Sequence, residues 1–391
     1  MAQEWLLQVL AGFGKLFLHP LFYFSILLAF VAGMERVRRE RKDFQVRIYD
    51  IYHELRYIVP AGLIVGLAVS VPLVLTGMQI PLDLLDFIAA LTIVLCFVRA
   101  LSAAWTVGGA FLLFYLSEWL GFSFIPLHDL QLNDIFLAIG ILTALLVMAE
   151  GRLLSRQGWQ APSPRLIKSP RGLKVGAQLA QRVWLVPVLL LVPVGGLESP
   201  VSWWPLVTIG SKTFAFVYFP FIIGFQQLIK STLPELAIKE TGQRVFRLGA
   251  ICLLVAIAGY WTPLASVASA ALAVLGRIWI SFRHRTYENN RPLFFTPQSQ
   301  GVMILGVIPY TPGHKMGLKM GELVRKVNGI EVRNEAQFYE ALQRSGAYCK
   351  LEVIDVNGQI RFTQGSVFEG EHHELGLIFV EEHRKWESEA G

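Results

Sequence analysis

Long apolar runs fill the chain as far as about residue 282, and no other feature of the sequence limits the fold as much. A helix of about 20 apolar residues crosses a bilayer. By that ruler, spans are expected near 16–33, 58–77, 87–104, 106–121, 134–150, 183–197, 205–229, 248–262 and 264–282. Several runs are short, so the expectation is a polytopic α-helical membrane domain of about seven to nine helices. The composition agrees, with 54% hydrophobic and 16% charged residues and a mean hydropathy of +0.49. A soluble protein is rarely so apolar. The first run, Leu16 to Gly33, precedes its main basic cluster and lacks a small-residue cleavage site, so it is expected to remain as an anchor.

Loop charges set the orientation, because Lys and Arg collect in cytoplasmic loops. Glu35 to Lys42 is strongly basic. The stretch from Gly151 to Arg182 carries seven Lys or Arg residues and no Asp or Glu. Two more basic stretches follow, Lys230 to Arg247 and Arg283 to Arg291. The segments around Asp83 to Asp86, Phe122 to Asp134 and Gly196 to Trp204 hold no Lys or Arg. They are expected outside, and the tail inside. The net charge of +6 is thereby explained by topology, and a nucleic-acid partner is not implied.

Arg99, Glu118 and Lys212 fall within apolar runs. Ionisable groups there are costly and mark function by default. A chain reversal near Trp105 to Gly109 would bring Arg99 and Glu118 to one depth, where they would form either a structural ion pair or part of a transport or proton path. No internal repeat of the transporter type is evident. Nor are HExxH, GxSxG or Walker A motifs present. His53–Glu54 and His372-His373-Glu374 lack a second ligand at metal spacing, and Cys96, Cys252 and Cys349 show no CxxC pairing. No metal, cofactor or catalytic residue is expected.

The remainder reads as a soluble α+β domain. Val302 to Ile308 is strand-like and stops at Pro309, Thr311 and Pro312. Val324 to Val327, the turn Asn328-Gly329 and Ile330 to Val332 form a hairpin pattern. Asn334 is a candidate N-cap for a helix over 335–344, and Lys350 to Asp355 and Gln359 to Thr363 flank a second turn at Asn357-Gly358. Pro309-x-x-Pro312, Met316-Gly317-Leu318-Lys319-x-Gly321-Glu322-x-Val324 and Val327-Asn328-Gly329 resemble the bacterial PDZ pattern over about 80 residues, with Glu322 where that family usually has Asp. The resemblance implies a partly open β-barrel or sandwich with two helices, bounded as 295–382 and joined by a linker at 283–294, before a charged tail at 383–391.

PDZ domains receive a partner's extended segment as an added strand, and a GLGF-type loop can hold a terminal carboxylate. Two segments compete for that loop, Arg291 to Phe295 and Glu374 to Phe379. Candidate groove residues are Phe338 and Leu342 on the helix with Gly376, Leu377, Ile378 and Phe379. Taken together, the multispanning domain, the single PDZ-like tail and the closing Gly370 to Gly376 resemble the MinJ-like family of bacterial cell-division topological determinants. That resemblance implies an adaptor at the division septum and poles, bridging a DivIVA-type scaffold and the MinCD inhibitor with its MinD-like ATPase, beside other divisome proteins. The competing expectation is a PDZ-regulated intramembrane enzyme or transporter using Arg99 and Glu118.

Overall fold

The computed structural model describes residues 2–98, 101–122, 131–198, 213–344, 348–366 and 375–380. α1 (Ala2–Leu16) turns into α2 (Pro20–Phe44) at His19, whose ring Nδ1 accepts the Leu21 N–H at 3.2 Å. A short 3-10 turn at Ile51–His53 leads through α3 (Leu55–Ile58) into α4 (Pro60–Thr76). α5 (Leu82–Phe97) is followed by a π turn at Ala104–Gly108 and α6 (Gly109–Trp119). α7 (Leu132–Leu153), α8 (Pro234–Ile257) and α9 (Pro263–Asn290) complete the bundle. Proline opens α2, α4, α8 and α9, where its missing N–H costs nothing.

Among the described residues five helical stretches are long and apolar enough to cross a membrane: Pro20–Phe44, Ile51–Thr76, Leu132–Gly158, Pro234–Tyr260 and Pro263–Asn290. The expected spans 16–33, 58–77, 134–150, 248–262 and 264–282 fall on these five. The runs 87–104 and 106–121 give only the shorter α5 and α6. The run 183–197 and the described part of 205–229, residues 213–229, are not helices. They lie in β2 (Lys174–Glu198) and β3 (Thr213–Ile229), paired antiparallel, with β1 (Ser163–Lys168) on the other edge of the base of β2.

The physical reason lies in their composition and in how the hairpin is enclosed. β2 is rich in Val and β3 in Phe and Ile, residue types that favour strands. Val183 to Val192 is ten residues, about 33 Å of strand, close to the thickness of a hydrocarbon core. Strand backbone at that depth must be covered by protein and have its outward edges satisfied. The Leu189 N–H donates to Ser70 Oγ at 2.8 Å, Ile80 N–H to Leu191 O at 2.9 Å, and Gly224 N–H to Leu101 O at 2.8 Å. Pro187 and Pro220 face each other across the hairpin. By the two-residue alternation from Leu189 and Gly224, each stands where an N–H would point outward, so neither leaves an orphan donor. α4 lies against this edge through Gly62 and Gly66, where a built Cβ would fall 1.8 Å from Leu185 O and 2.2 Å from Pro187 O.

The C-terminal unit is the expected α+β type. Its strands β4 (Val302–Val307), β5 (Leu323–Val327), β7 (Tyr348–Ile354), β8 (Ile360–Ser366) and β9 (Leu377–Phe379) follow the order β8-β7-β5-β4-β9, and β6 (Ile330–Glu331) pairs with β5. Two helices, α10 (Pro312–Lys315) and α11 (Glu335–Gln343), complete it. Asn328 and Gly329 both have positive φ, 51° and 85°, as the hairpin turn requires. Asn334 caps α11 by accepting the Gln337 N–H at 2.9 Å. Glu322, in place of Asp, accepts the Lys319 N–H and pairs with Arg361 at 2.6 Å, tying the loop before β5 to β8.

The two regions are packed together. Phe295, Met303, Leu305, Ile378 and Val380 form one buried cluster with Ile48, which follows α2. Gly176 N–H donates to Phe295 O at 2.9 Å and Gln178 Nε2 to Leu305 O at 2.6 Å, both from the base of β2.

Candidate functional site

β9 is the end of the C-terminal sheet's pairing path. One edge is bonded to β4, in the register Ile304 to Phe379 and Val307 to Leu377, and no described strand occupies the other. α11 lies beside it: the Phe338 and Phe379 rings are 4.9 Å apart and Tyr339 stands 6.5 Å from Phe379. The chain enters β9 through Gly376, at φ +71°, whose carbonyl accepts the Ile308 N–H at 2.7 Å. Leu375 O accepts from Gly313 N–H in α10 at 2.9 Å. A built Cβ on Gly376 would come within 2.3 Å of Thr311 Oγ1, so only glycine fits this approach.

All the candidate groove residues are therefore brought together, but their side chains divide. Phe338, Leu342, Leu377 and Phe379 belong to the unit's own core, Phe338 being fully buried. Ile378 points to the opposite face and joins the cluster with Ile48. Of the two segments that competed for the terminal loop, Arg291 to Phe295 runs toward β2, where Phe295 is bonded to Gly176, whereas Leu375 to Phe379 lies beside α11. Glu374 lies outside the described residues.

Of the intramembrane charges singled out in the sequence, Arg99 and Lys212 lie outside the described residues, and Glu118 is half-buried near the end of α6. Further charges are buried, and their burial is not legible in the sequence: Arg36, Glu40, Glu54 and Arg182 look like loop residues, Glu150 closes an apolar run, and Arg277 lies within the run 264–282. Glu150, fully buried in α7, accepts from Ser102 Oγ at 2.6 Å and Ala103 N–H at 3.0 Å and pairs with Arg277 of α9 at 3.0 Å. Near the base of β2, Glu54 bridges Arg36 and Arg182, each at 2.6 Å, and Glu40 accepts from Arg36, Ser163 and Ile48. Every carboxylate here has a cationic partner or several donors, which is how buried charge is tolerated. These are fastenings between α2, the α3 turn, β1 and β2.

Among the described residues no group of three or more His, Cys, Asp or Glu is placed to hold a metal ion. Cys349 is enclosed in the C-terminal core, and burial pushes its thiol up to about 12, so it stays a protonated, unreactive packing group.

No protein-family model matches the chain. Whole-protein relatives do. The chain is 44% identical over 395 aligned residues to the Cell division topological determinant MinJ of Bacillus subtilis (strain 168), an alignment covering 100% of this chain and 99% of that protein. It is 26% identical over 363 residues to the Probable cell division topological determinant MinJ of Lacticaseibacillus paracasei, covering 92% and 95%.

Proposed function

The chain belongs to the MinJ family of cell division topological determinants, and from that premise we propose that it is a membrane-anchored adaptor in division-site selection whose PDZ-like unit faces the cytosol and captures partner segments at the free edge of β9. The relatives are named as determinants of topology and not as enzymes, so the chain is read as a binding protein. The observation that carries the proposal is the pairing of an open strand edge with a flanking helix: Phe379 of β9 lies 4.9 Å from Phe338 of α11. An extended peptide laid along β9 would take main-chain hydrogen bonds from it, while α11 would limit which side chains fit.

The partners implied by the family resemblance are a DivIVA-type scaffold and the MinCD inhibitor, through its MinD-like ATPase, at the septum and poles. The basic loops support a cytosolic location for the groove, since Lys and Arg flank the spans on the side from which α9 leads into it. The test is removal of residues 292–391 with a membrane two-hybrid readout. The truncated chain is expected to insert normally and to lose partner recruitment. Recruitment at the full-length level would refute the adaptor.

A further inference from the structure

At the basic-loop ends of α8 and α9 lies a cavity of about 200 Å³, lined by Glu240, Arg244, His284, Tyr287, Glu288 and Arg291, among others. Its level follows from the sequence. The apolar run of α8 starts at Leu248 and that of α9 ends at Phe282, so Arg244 stands about one turn, and Glu288 and Arg291 roughly two turns, beyond the hydrocarbon, on the lipid-headgroup side.

Most polar groups here already have partners. Arg244 is paired with Glu240. His284 Nε2 lies 3.2 Å from Leu228 O, a pure acceptor, so Nε2 carries the proton; Nδ1 then accepts from Gln227 Nε2 at 3.0 Å and the ring is neutral. Two groups remain. Glu288 is only 3% exposed; its Oε2 accepts the N–H groups of Lys230 at 2.6 Å and Ser231 at 2.9 Å, but its Oε1 has no donor among the described residues. Arg291, the exposed C-cap residue that follows α9 three positions on, rests over the Tyr287 ring at 4.0 Å, outside any ion pair among the described residues. A buried carboxylate oxygen lacking a donor is expensive, and a buried anion beside an unpaired cation is complementary to a zwitterion.

We propose that this cavity binds a phosphoethanolamine group, its primary ammonium donating to Glu288 Oε1 and its phosphate accepting from Arg291. The headgroup level of the cavity points to a phosphatidylethanolamine lipid as the source. Phosphatidylglycerol offers the phosphate without the ammonium. Phosphatidylcholine offers the charge without an N–H, so it cannot satisfy Oε1.

The experiment is native mass spectrometry of the full-length protein in mild detergent, with equal amounts of the three lipids and, in a separate arm, soluble phosphoethanolamine. The phosphatidylethanolamine adduct is expected to exceed each of the other two about tenfold, and Glu288→Gln to lower it about tenfold, as loss of one charge-assisted hydrogen bond predicts. Gln keeps a carbonyl oxygen for the Lys230 and Ser231 N–H groups, so that variant retains the local fold. Arg291→Gln is expected to weaken the same adduct. Soluble phosphoethanolamine binding as well as the lipid would keep the site and assign it to a soluble ligand. Equal adducts of the three lipids, or an undiminished adduct in Glu288→Gln, would overturn the proposal.

Discussion

The two sheets of this chain are built under opposite solvent conditions. In β7, burial alternates from Tyr348 onward, exposed then buried, because one side of that strand meets water and the other the core. In β2, every residue from Val175 to Val192 is buried or half-buried, because helices cover the sheet. Alternation is thus a mark of a wet face and not of the strand itself. A strand enclosed on both faces has no period to display, and in a membrane protein it borrows the appearance of a helix.

That contrast is open to attack at the places where each sheet is held. The largest effect is expected at the enclosed charge. Arg277→Met should leave Glu150 buried without its cation and cost about 4 kcal/mol, seen as loss of folded protein in detergent thermal unfolding. Pairing it with Glu150→Leu should restore most of the loss; if the double variant were as unstable as the single one, the ion pair would not be the fastening. Next comes the helix–strand contact. Gly66→Val places a methine carbon against Pro187 O and should cost about 3 kcal/mol, whereas Gly14→Val, at a position with nothing within 4 Å of a built Cβ, should be nearly silent. Equal melting shifts for the two would break the idea that the strands depend on close helix cover.

In the water-facing sheet the effects should be smaller and local. Gly376→Ala forces a side chain into positive φ and onto Thr311, at a cost of about 2 kcal/mol, and should abolish partner recruitment while membrane insertion is unaffected. Insertion lost together with recruitment would show that the two regions are not separable. The smallest change, Asn334→Ala, removes the α11 cap and should lower the unit's stability by about 1 kcal/mol in urea unfolding. Lastly, Cys349 should resist maleimide at neutral pH in the folded protein and react once urea is added; ready labelling without denaturant would contradict its burial.

What was legible in the sequence follows the same divide. The turn Asn328-Gly329 and the cap Asn334 are local signals, and each appears where the sequence places it. Glu374 to Phe379 is one of two rival segments in the sequence, since the position of its described part beside α11 depends on pairing with β4 some 70 residues earlier, which no local pattern encodes. β2 and β3 were misread for want of a period. The available signal is compositional: Pro187 amid Val in β2 and Pro220 amid Phe and Ile in β3, since proline is poor inside a helix and tolerable in a strand where its outward N–H is not needed. Glu150 closes its apolar run, where a charge has the same sequence appearance whether it is solvated or enclosed, and Arg277, within the run 264–282, has no partner that the sequence alone would point to.

The base of β2 has a mechanical consequence. Gly176 and Gln178 hold Phe295 and Leu305 by main-chain and side-chain bonds, and the same strand continues upward between the helices. The unit that carries β9 is therefore mounted on a strut and does not sweep a volume set by a flexible tether. A partner approaching along the membrane meets the groove at one height and one angle, so the length and stiffness of the partner's own reach would decide whether it engages.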